Sequence, residues 1–571
     1  MIQYKKSAAK LLSSLITELS AEQLENLLER PPKADQGDLA FPCFQVAKIR
    51  KKAPPMIASE VAQALAANLP EEFSGATSLG PYVNFRLSPQ ASFAIVNDVF
   101  TRKENFGHTE SGKGKKILIE YSSPNVAKEL HIGHFRNTVL GQSLNNIYMA
   151  TGHQTVALNH LGDWGSQFGK VAYGYLKYGN EQEMLKNPLE YLTKLYVRVS
   201  QEAESDPAID KEARLLFKKI EDGDPELTAI WKKFRELSIV GLKKVYARLG
   251  VHFDEYIGES FYIDKIPALL QELKKKNLLE VSEGAQVVKL GEDVPPCLVV
   301  TGDGTSLYAT RDLAAAIWRK DHFKFDQSLY VIGSEQQLHT KQFFQVLGLM
   351  GYPWAASLQH IHYGLYRFKD GKFSTRKGKV VLAEEVLDEA RDKALALINT
   401  KNPTLANKGE VAEIVGVGAV VFNDLSTDRV KDVEFDWDRI LDFEGDTGPY
   451  LQYCYARACS ILRQGAAKGM QPGKPENSAE LAKSEAAQQL MKQFARLEDS
   501  LEGALRLQKP SIVANYAIDL AKSFNAFYRD VRVVDEAQPA ESASRLGLVL
   551  AFRQVLGNTL RLLCMRVPEE M

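Results

Sequence analysis

The sequence predicts an α/β protein in which a doubly wound parallel sheet is flanked by an N-terminal α+β unit and a C-terminal all-α bundle. Three observations predict it. Lys116-Ile-Leu-Ile-Glu120 reads as a buried strand that runs through the turn Ser123-Pro124-Asn125 into a helical pattern from about His131 to Tyr148. Strand, loop and helix in that order open a Rossmann-type sheet, whose ligands gather at the carboxyl ends of the strands. Apolar residues recur at helical spacing almost throughout 447–571, as a bundle requires. The polar, Gly-rich run 109–114 has too few apolar side chains to pack, so it separates two units. The expected domains are 1–112, 113–445 and 446–571.

Taken in order, Leu11, Leu12, Leu15, Ile16 and Leu19 keep helical spacing within 5–30, ending near Arg30-Pro31-Pro32. A second helical pattern passes through Phe44, Val46, Ala47 and Ile49, Pro54-Pro55 interrupts it, and a third covers about 57–69. Tyr82-Val83-Asn84-Phe85-Arg86-Leu87 is a strand. In the large domain, 155–158, 297–301 and 328–332 are further strands, the last two separated by a helix over 312–320. Residues 180–290 turn charged and helical and are expected to lie on the fold as a connective insertion. In the bundle, breaks fall near 465–477, Pro510 and Gln538-Pro539, and Tyr516, Phe524 and Phe527 take the spacing of core aromatics.

With 71 basic against 72 acidic side chains, the chain lacks the cationic excess of a histone-like binder, so any polyanion must be met by local patches. The five cysteines, Cys43, Cys297, Cys454, Cys459 and Cys564, form no Cys-x-x-Cys pair. That argues against a disulfide framework or a zinc ribbon, and no protein-held metal is expected. Nowhere do about 18 apolar residues follow one another, so no membrane partner is expected and the cytoplasm is the expected compartment.

The candidate chemistry starts at His131-Ile132-Gly133-His134, where the first loop enters the first helix. Two imidazoles flanking a glycine at a helix start suit a nucleoside triphosphate. Glycine admits the ligand to the backbone, while helix N–H groups and imidazole donors face phosphate oxygens. A pair of surface or metal-binding histidines is the bland alternative. Further on, Lys369-Asp370-Gly371-Lys372-Phe373-Ser374-Thr375-Arg376-Lys377-Gly378-Lys379 gathers cations and hydroxyls that can clamp a pyrophosphate, where the bland alternative is a solvated rim. Acceptors stand at strand ends. Glu120 closes the first strand, Asn125 lies in the loop after it, Tyr308 and Asp312 share one helix face, and Gln336 follows the strand at 328–332.

His131 to His134 is the literal HIGH signature, and Lys372-Phe-Ser-Thr-Arg-Lys-Gly resembles the degenerate KMSKS loop, of class I aminoacyl-tRNA synthetases. Three further strings narrow the resemblance to the arginyl branch: Ser123-Pro-Asn-Val-Ala-Lys-Glu-Leu-His131, Leu161-Gly-Asp-Trp-Gly-Ser-Gln-Phe-Gly169 and Glu444-Gly-Asp-Thr-Gly-Pro-Tyr-Leu-Gln-Tyr453. It covers nearly the whole chain and implies ligation of L-arginine to its tRNA, with ATP and Mg²⁺, through arginyl-adenylate. A guanidinium that is always protonated and carries five donors needs carboxylate and carbonyl acceptors, which the strand ends supply. By resemblance, Asn125 and His134 hold the α-amino and carboxylate end, Tyr308 and Asp312 address the guanidinium, and Glu120 and Gln336 complete the polar wall. The implied catalytic set is His131, His134, Lys128, Lys372, Ser374, Arg376 and Lys377, with His131, Gly133, His134, Lys128 and Lys377 against ATP. Thr375 stands where a full KMSKS has its second lysine. Lys128 is the expected substitute and Lys377 the second candidate. The resemblance also implies that adenylate formation waits for tRNA and that transfer goes to a 2′-hydroxyl.

The N-terminal unit resembles the extra domain of arginyl enzymes that meets the tRNA elbow, where Tyr82 and Asn84 match positions that handle an exposed D-loop base. An aromatic face stacks on such a base and an amide reads its edge. The C-terminal bundle resembles the anticodon-binding domain through Asp519-Leu-Ala-Lys-Ser-Phe-Asn-Ala-Phe-Tyr528 and the closing Leu562-Leu-Cys-Met-Arg-Val-Pro-Glu-Glu-Met571. Tyr450, Tyr453, Arg457 and Tyr528 are its stacking and phosphate candidates. A monomer without an editing domain is expected. Two rivals stand beside this reading. Another HIGH-type nucleotidyltransferase would not need the helices after 446, and a non-catalytic tRNA-binding paralogue would shed the phosphate ligands.

Overall fold

The structure, a computed structural model, describes residues 1–301, 308–368 and 381–571. Its centre is a sheet of parallel strands, β1 (Lys116–Glu120), β2 (Gln154–Leu161), β3 (Glu255–Gly258), β4 (Gln327–Val331) and β5 (Leu358–Ile361), in the order β5-β4-β1-β2-β3. β1 lies in the middle with Ile117, Leu118 and Ile119 buried, which is why it reads as an unbroken apolar run. Parallel neighbours need long crossovers. α1 (Ile132–Ala150) connects β1 to β2, α2 (Tyr308–Phe323) precedes β4, and α3 (Gln337–Leu349) connects β4 to β5. The chain leaves β1 towards β2 but leaves β4 towards β5, so their loops part and open a crevice at the carboxyl edge between these two strands.

Two of the three further strands expected in this sheet are there. Cys297–Val300 is not: it pairs antiparallel with Ala285–Val288, which also holds Glu280–Ser282, in a separate three-stranded sheet. A four-residue apolar run does not specify its partner. The outer place beside β2 goes instead to β3, inside the stretch read as insertion. The earlier part of that stretch is helical, with Pro188–Ser205, Pro207–Glu221 and Pro225–Leu249 each starting on proline after Asn187, Asp206 and Asp224.

At the N-terminus the helix expected over 5–30 is two, Ile2–Ser13 and Ala21–Leu27, because Ser20 and Gln23 cap the second reciprocally. Tyr82–Leu87 is the middle strand of an antiparallel sheet with Leu39–Pro42 and Phe73–Leu79. Gly37 has φ +126°, and a Cβ there would lie 2.9 Å from the Phe85 carbonyl oxygen. The next residue, Asp38, is buried and accepts from the Leu87 N–H at 2.8 Å and from Lys492 Nζ of the C-terminal bundle at 2.8 Å. The bundle includes α4 (Gly448–Ala467), α5 (Ser511–Asp530) and α6 (Pro539–Leu562). Its core holds Tyr516, Phe524 and Phe527 as their spacing predicts, with Phe524 stacked on Phe552 at 3.8 Å.

Candidate active site

The loop from β1 to α1 is held in a conformation that ordinary residues avoid. Ser122, Ser123 and Ala127 have φ of 68°, 46° and 62°. Their surroundings enforce it. The Ser122 N–H donates to Asn137 Oδ1 at 2.9 Å, Thr138 Oγ1 donates to Ser122 Oγ at 2.8 Å, and the Ala127 N–H donates to Ser238 Oγ at 3.1 Å. Asn125 bridges to Gly162 just past β2, through Val126 N–H to the Gly162 oxygen at 3.1 Å and Gly162 N–H to the Pro124 oxygen at 3.0 Å. A Cβ on Gly162 would lie 2.3 Å from Asn125 Oδ1, so the Asn125 amide occupies the space this glycine leaves. Next to it, Asp163 is buried and accepts from Arg235 Nε (2.8 Å), the Ser260 N–H (2.8 Å) and Ser260 Oγ (2.9 Å), tying β2 to β3 and to the helical insertion.

At the start of α1, His131 Nδ1 accepts from the Gly133 N–H at 3.1 Å and His134 Nδ1 from the His131 N–H at 3.4 Å. A Cβ on Gly133 would lie 2.9 Å from His131 Cε1, so glycine is what lets this ring fold over the helix start. Since each Nδ1 accepts, each neutral ring carries its proton on Nε2. The rings lie 3.7 Å apart. Burial, then the neighbouring His131 and Lys128, push the His134 imidazole down to about 3, and burial and Lys128 lower His131. Both are therefore neutral N–H donors beside a helix N-terminus. Lys128, close enough to depress both, rests its Nζ 4.2 Å from the Tyr196 ring centre.

The cluster Lys372, Ser374, Arg376 and Lys377 lies outside the described residues. Both of its flanks are within them. On the far side, the Ile132 N–H donates to the Val381 oxygen at 3.0 Å and the Ala383 N–H to the Leu130 oxygen at 2.8 Å, so the chain after the cluster pairs with the histidine signature itself. On the near side, Arg136 of α1 is buried and donates to the Gly364 oxygen at 2.7 Å, just before the strand Tyr366–Phe368.

A second, acidic cluster gathers at the start of α2. Asp312 Oδ2 accepts from His339 Nε2 at 2.6 Å, and Tyr308 packs on the same imidazole at 4.6 Å between ring centres. The Tyr308 hydroxyl reaches Gln336 Oε1 at 3.5 Å. The negative charge of Asp312, then burial, with smaller help from Glu120 and Glu259, pushes the Tyr308 phenol far up, so it stays a neutral donor. Glu120 is buried and its carboxylate is taken by Arg319, whose Nε also donates to the Tyr262 hydroxyl at 3.1 Å. Glu259, beyond β3, pairs with Arg311 at 2.7 Å. Sequence reasoning missed His339, Arg319, Glu259 and Asp163. Only Asp163 had a signal, as part of the Leu161–Gly169 string. His160, at the end of β2, is also new: its Nδ1 bonds the Ile257 oxygen at 3.2 Å.

Three family descriptions match the chain in turn: Arginyl tRNA synthetase N terminal domain over residues 3–87, tRNA synthetases class I (R), catalytic domain over 95–437, and DALR anticodon binding domain over 451–571. The chain belongs to the arginyl-tRNA synthetase family. It is 44% identical to the arginine-tRNA ligase of Clostridioides difficile (strain 630) and 45% to that of Clostridium beijerinckii, each alignment covering 100% of both chains. The solved Thermus thermophilus arginyl-tRNA synthetase superimposes with a TM-score of 0.80 at 26% identity, covering 99% of this chain and 100% of that one.

The outer units of the chain hold the remaining candidates. Tyr82 meets Phe44 edge-on at 5.9 Å, and Phe44 is largely exposed. Asn84, two residues on, is buried and its Oδ1 has no hydrogen-bond partner. The four bundle candidates form one cluster. Arg457 donates to Tyr453 Oη at 3.0 Å and to Asn525 Oδ1 at 2.8 Å, lies 5.6 Å from the Tyr528 ring centre, and Asn525 donates to Tyr450 Oη at 2.8 Å. Tyr450, Tyr453 and Arg457 line a cleft of about 610 Å³ shared with Lys401 and Phe443 of the preceding domain and with Met571.

Proposed function

We infer that the protein is an arginine-tRNA ligase that joins L-arginine to its tRNA with ATP through arginyl-adenylate. In the first step the arginine carboxylate attacks the α-phosphate in line and pyrophosphate leaves. No side-chain nucleophile takes part, so the protein contributes position and charge neutralisation. Asp312 and the neutral Tyr308 receive the guanidinium, Asn125 and His134 hold the α-amino and carboxylate end, and Glu120 and Gln336 complete the polar wall. The Nε2–H donors of His131 and His134, with the first N–H groups of α1, meet phosphate oxygens. Lys128 supplies the cation missing at Thr375, with Lys377 the second candidate, and Lys372, Ser374 and Arg376 complete the phosphate side. Mg²⁺, the usual counter-ion of a triphosphate, would enter with ATP and supply part of the phosphate neutralisation. In the second step the 2′-hydroxyl of the terminal adenosine of tRNA takes the arginyl group. Tyr82, whose ring reaches solvent, meets the tRNA elbow with the buried Asn84 on the same strand face behind it, and the Tyr450, Tyr453, Arg457 and Tyr528 cluster meets the anticodon loop by stacking and charge.

The observation that best supports this reading is that one sheet domain carries both chemistries: two neutral imidazole donors at the start of α1, and Asp312 with Tyr308, ordered by His339, at the start of α2. ATP-pyrophosphate exchange with each amino acid, with and without tRNA, tests it. Arginine-dependent exchange that appears with tRNA is expected; exchange with another amino acid, or none, rejects it. The protein acts as a monomer in the cytosol, where its substrates meet. Among the described residues no helix is long and apolar enough to cross a membrane. A scattering mass of 63.7 kDa is the expected result, and twice that rejects the monomer.

A further inference from the structure

Four carboxylates among the described residues lie near one another around the start of α2, and each has a cationic or imidazole partner. Glu120 is held by Arg319, Glu259 by Arg311 at 2.7 Å, Asp163 by Arg235 at 2.8 Å, and Asp312 by His339 at 2.6 Å. The first three partners are guanidinium groups, which never lose their proton, so those three carboxylates are cancelled whatever else binds. His339 differs in kind. A neutral imidazole can donate its Nε2–H to Asp312 Oδ2 and leave the carboxylate its full negative charge. Of the four, Asp312 alone then offers an uncancelled charge, and among the described residues only its Oδ2 is engaged, by His339. The same ring lies 4.6 Å from Tyr308 and 5.5 Å from Phe343, between centres, so it is held in plane while it orients both guanidinium-facing residues. It sits in the first turn of α3, three residues after Gln336.

We propose that His339 is the positioning residue of the arginine pocket: it fixes Asp312 and Tyr308 while leaving the pocket the single negative charge that selects a guanidinium substrate. This rests on the reading of Asp312 as the guanidinium acceptor. An arginine or lysine at this place would hold Asp312 equally well and would neutralise the pocket. An apolar residue would leave the charge and lose the orientation.

The test is aminoacylation by the full-length enzyme with arginine tRNA, measuring KM for arginine and for ATP separately in four variants. His339→Ala raises the arginine KM by about tenfold or more, the loss of one hydrogen bond to a charged group, with the ATP KM within about twofold of wild type. His339→Gln, whose amide N–H reaches about as far as Nε2–H, restores the arginine KM to within about threefold. His339→Lys raises it by about 100-fold or more. Asp312→Asn is the reference. If it leaves the arginine KM unchanged, the reading of Asp312 is wrong. If it raises the arginine KM but His339→Ala does not, the role of His339 is overturned and that of Asp312 stands. The role is also overturned if Ala, Gln and Lys shift both KM values alike, as a merely structural position would.

Discussion

Gly162→Ala should disable arginine binding without disturbing the fold. The added Cβ would lie 2.3 Å from Asn125 Oδ1, 3.3 Å from Asn125 Cγ and 3.4 Å from Asn125 Cα. An ordinary carbon-oxygen approach is about 3.3 Å, so the amide oxygen must swing away by roughly 1 Å. The backbone tolerates the methyl group, because Gly162 is not among the residues with positive φ, and the two main-chain bonds that bridge it to the 124–126 segment do not involve its Cα hydrogens. The cost therefore falls on the substrate. One misdirected hydrogen bond to a charged group is worth about 1.5–3 kcal/mol, which is about 10- to 100-fold in the arginine KM. The urea midpoint should move by less than about 1 kcal/mol in equivalent stability. Steady-state aminoacylation with arginine varied at saturating ATP and tRNA measures the first, and tryptophan fluorescence in urea the second. Asn125→Ala should give the same KM, and the double variant should be no worse than either single one. An arginine KM within twofold of wild type in Gly162→Ala, or a double variant in which the two effects multiply, refutes the reasoning.

Arg319→Met leaves the buried Glu120 carboxylate unpaired and should cost about 3–5 kcal/mol in urea unfolding, part of which returns when Glu120→Gln is added; unchanged stability in the single variant contradicts this. His134, lowered by burial from the ordinary 6.5 to about 3, stays neutral in the folded protein while the unfolded chain takes up a proton below pH 6.5. Stability carried by this residue is thus present above that value and lost as pH falls towards 3, so the urea midpoint of wild type relative to His134→Asn should fall between pH 7.5 and 5, and a constant difference rules it out. Arg457→Ala should raise the KM for tRNA about tenfold and reduce the salt slope of tRNA binding by about one unit, with arginine and ATP constants unchanged; a shift in the arginine constant would count against an anticodon role.

The sequence made the histidine cluster at the start of α1 legible because its geometry is local. A glycine between two histidines at a helix start specifies the ring positions within four residues, and the capping bonds of His131 and His134 are the physical content of that pattern. The arginine side was half legible. Glu120, Tyr308, Asp312 and Gln336 could be placed at strand and helix ends, but what each carboxylate is bonded to depends on long-range packing. Arg319 is 199 residues from Glu120 and His339 is 27 from Asp312, and no periodicity links either pair. The sheet failed for a similar reason. Cys297–Val300 and Glu255–Gly258 are both four residues long, and which of them joins the parallel sheet is decided by neighbours that a short window does not contain. Asn84 shows the limit of strand patterning: Tyr82 and Asn84 share a face, yet one ring reaches solvent and the amide does not.

The contact between Asp38 and Lys492 bears on any attempt to dissect this enzyme. Cutting away residues 1–112 to obtain a smaller catalyst would remove the counterion of Lys492 together with the surface that keeps this ammonium group and its neighbours on the bundle from water. The front of the polypeptide is thus a structural part of its back, and a minimal version of the protein would first need polar side chains where Ala495 and Leu497 now pack against that front segment.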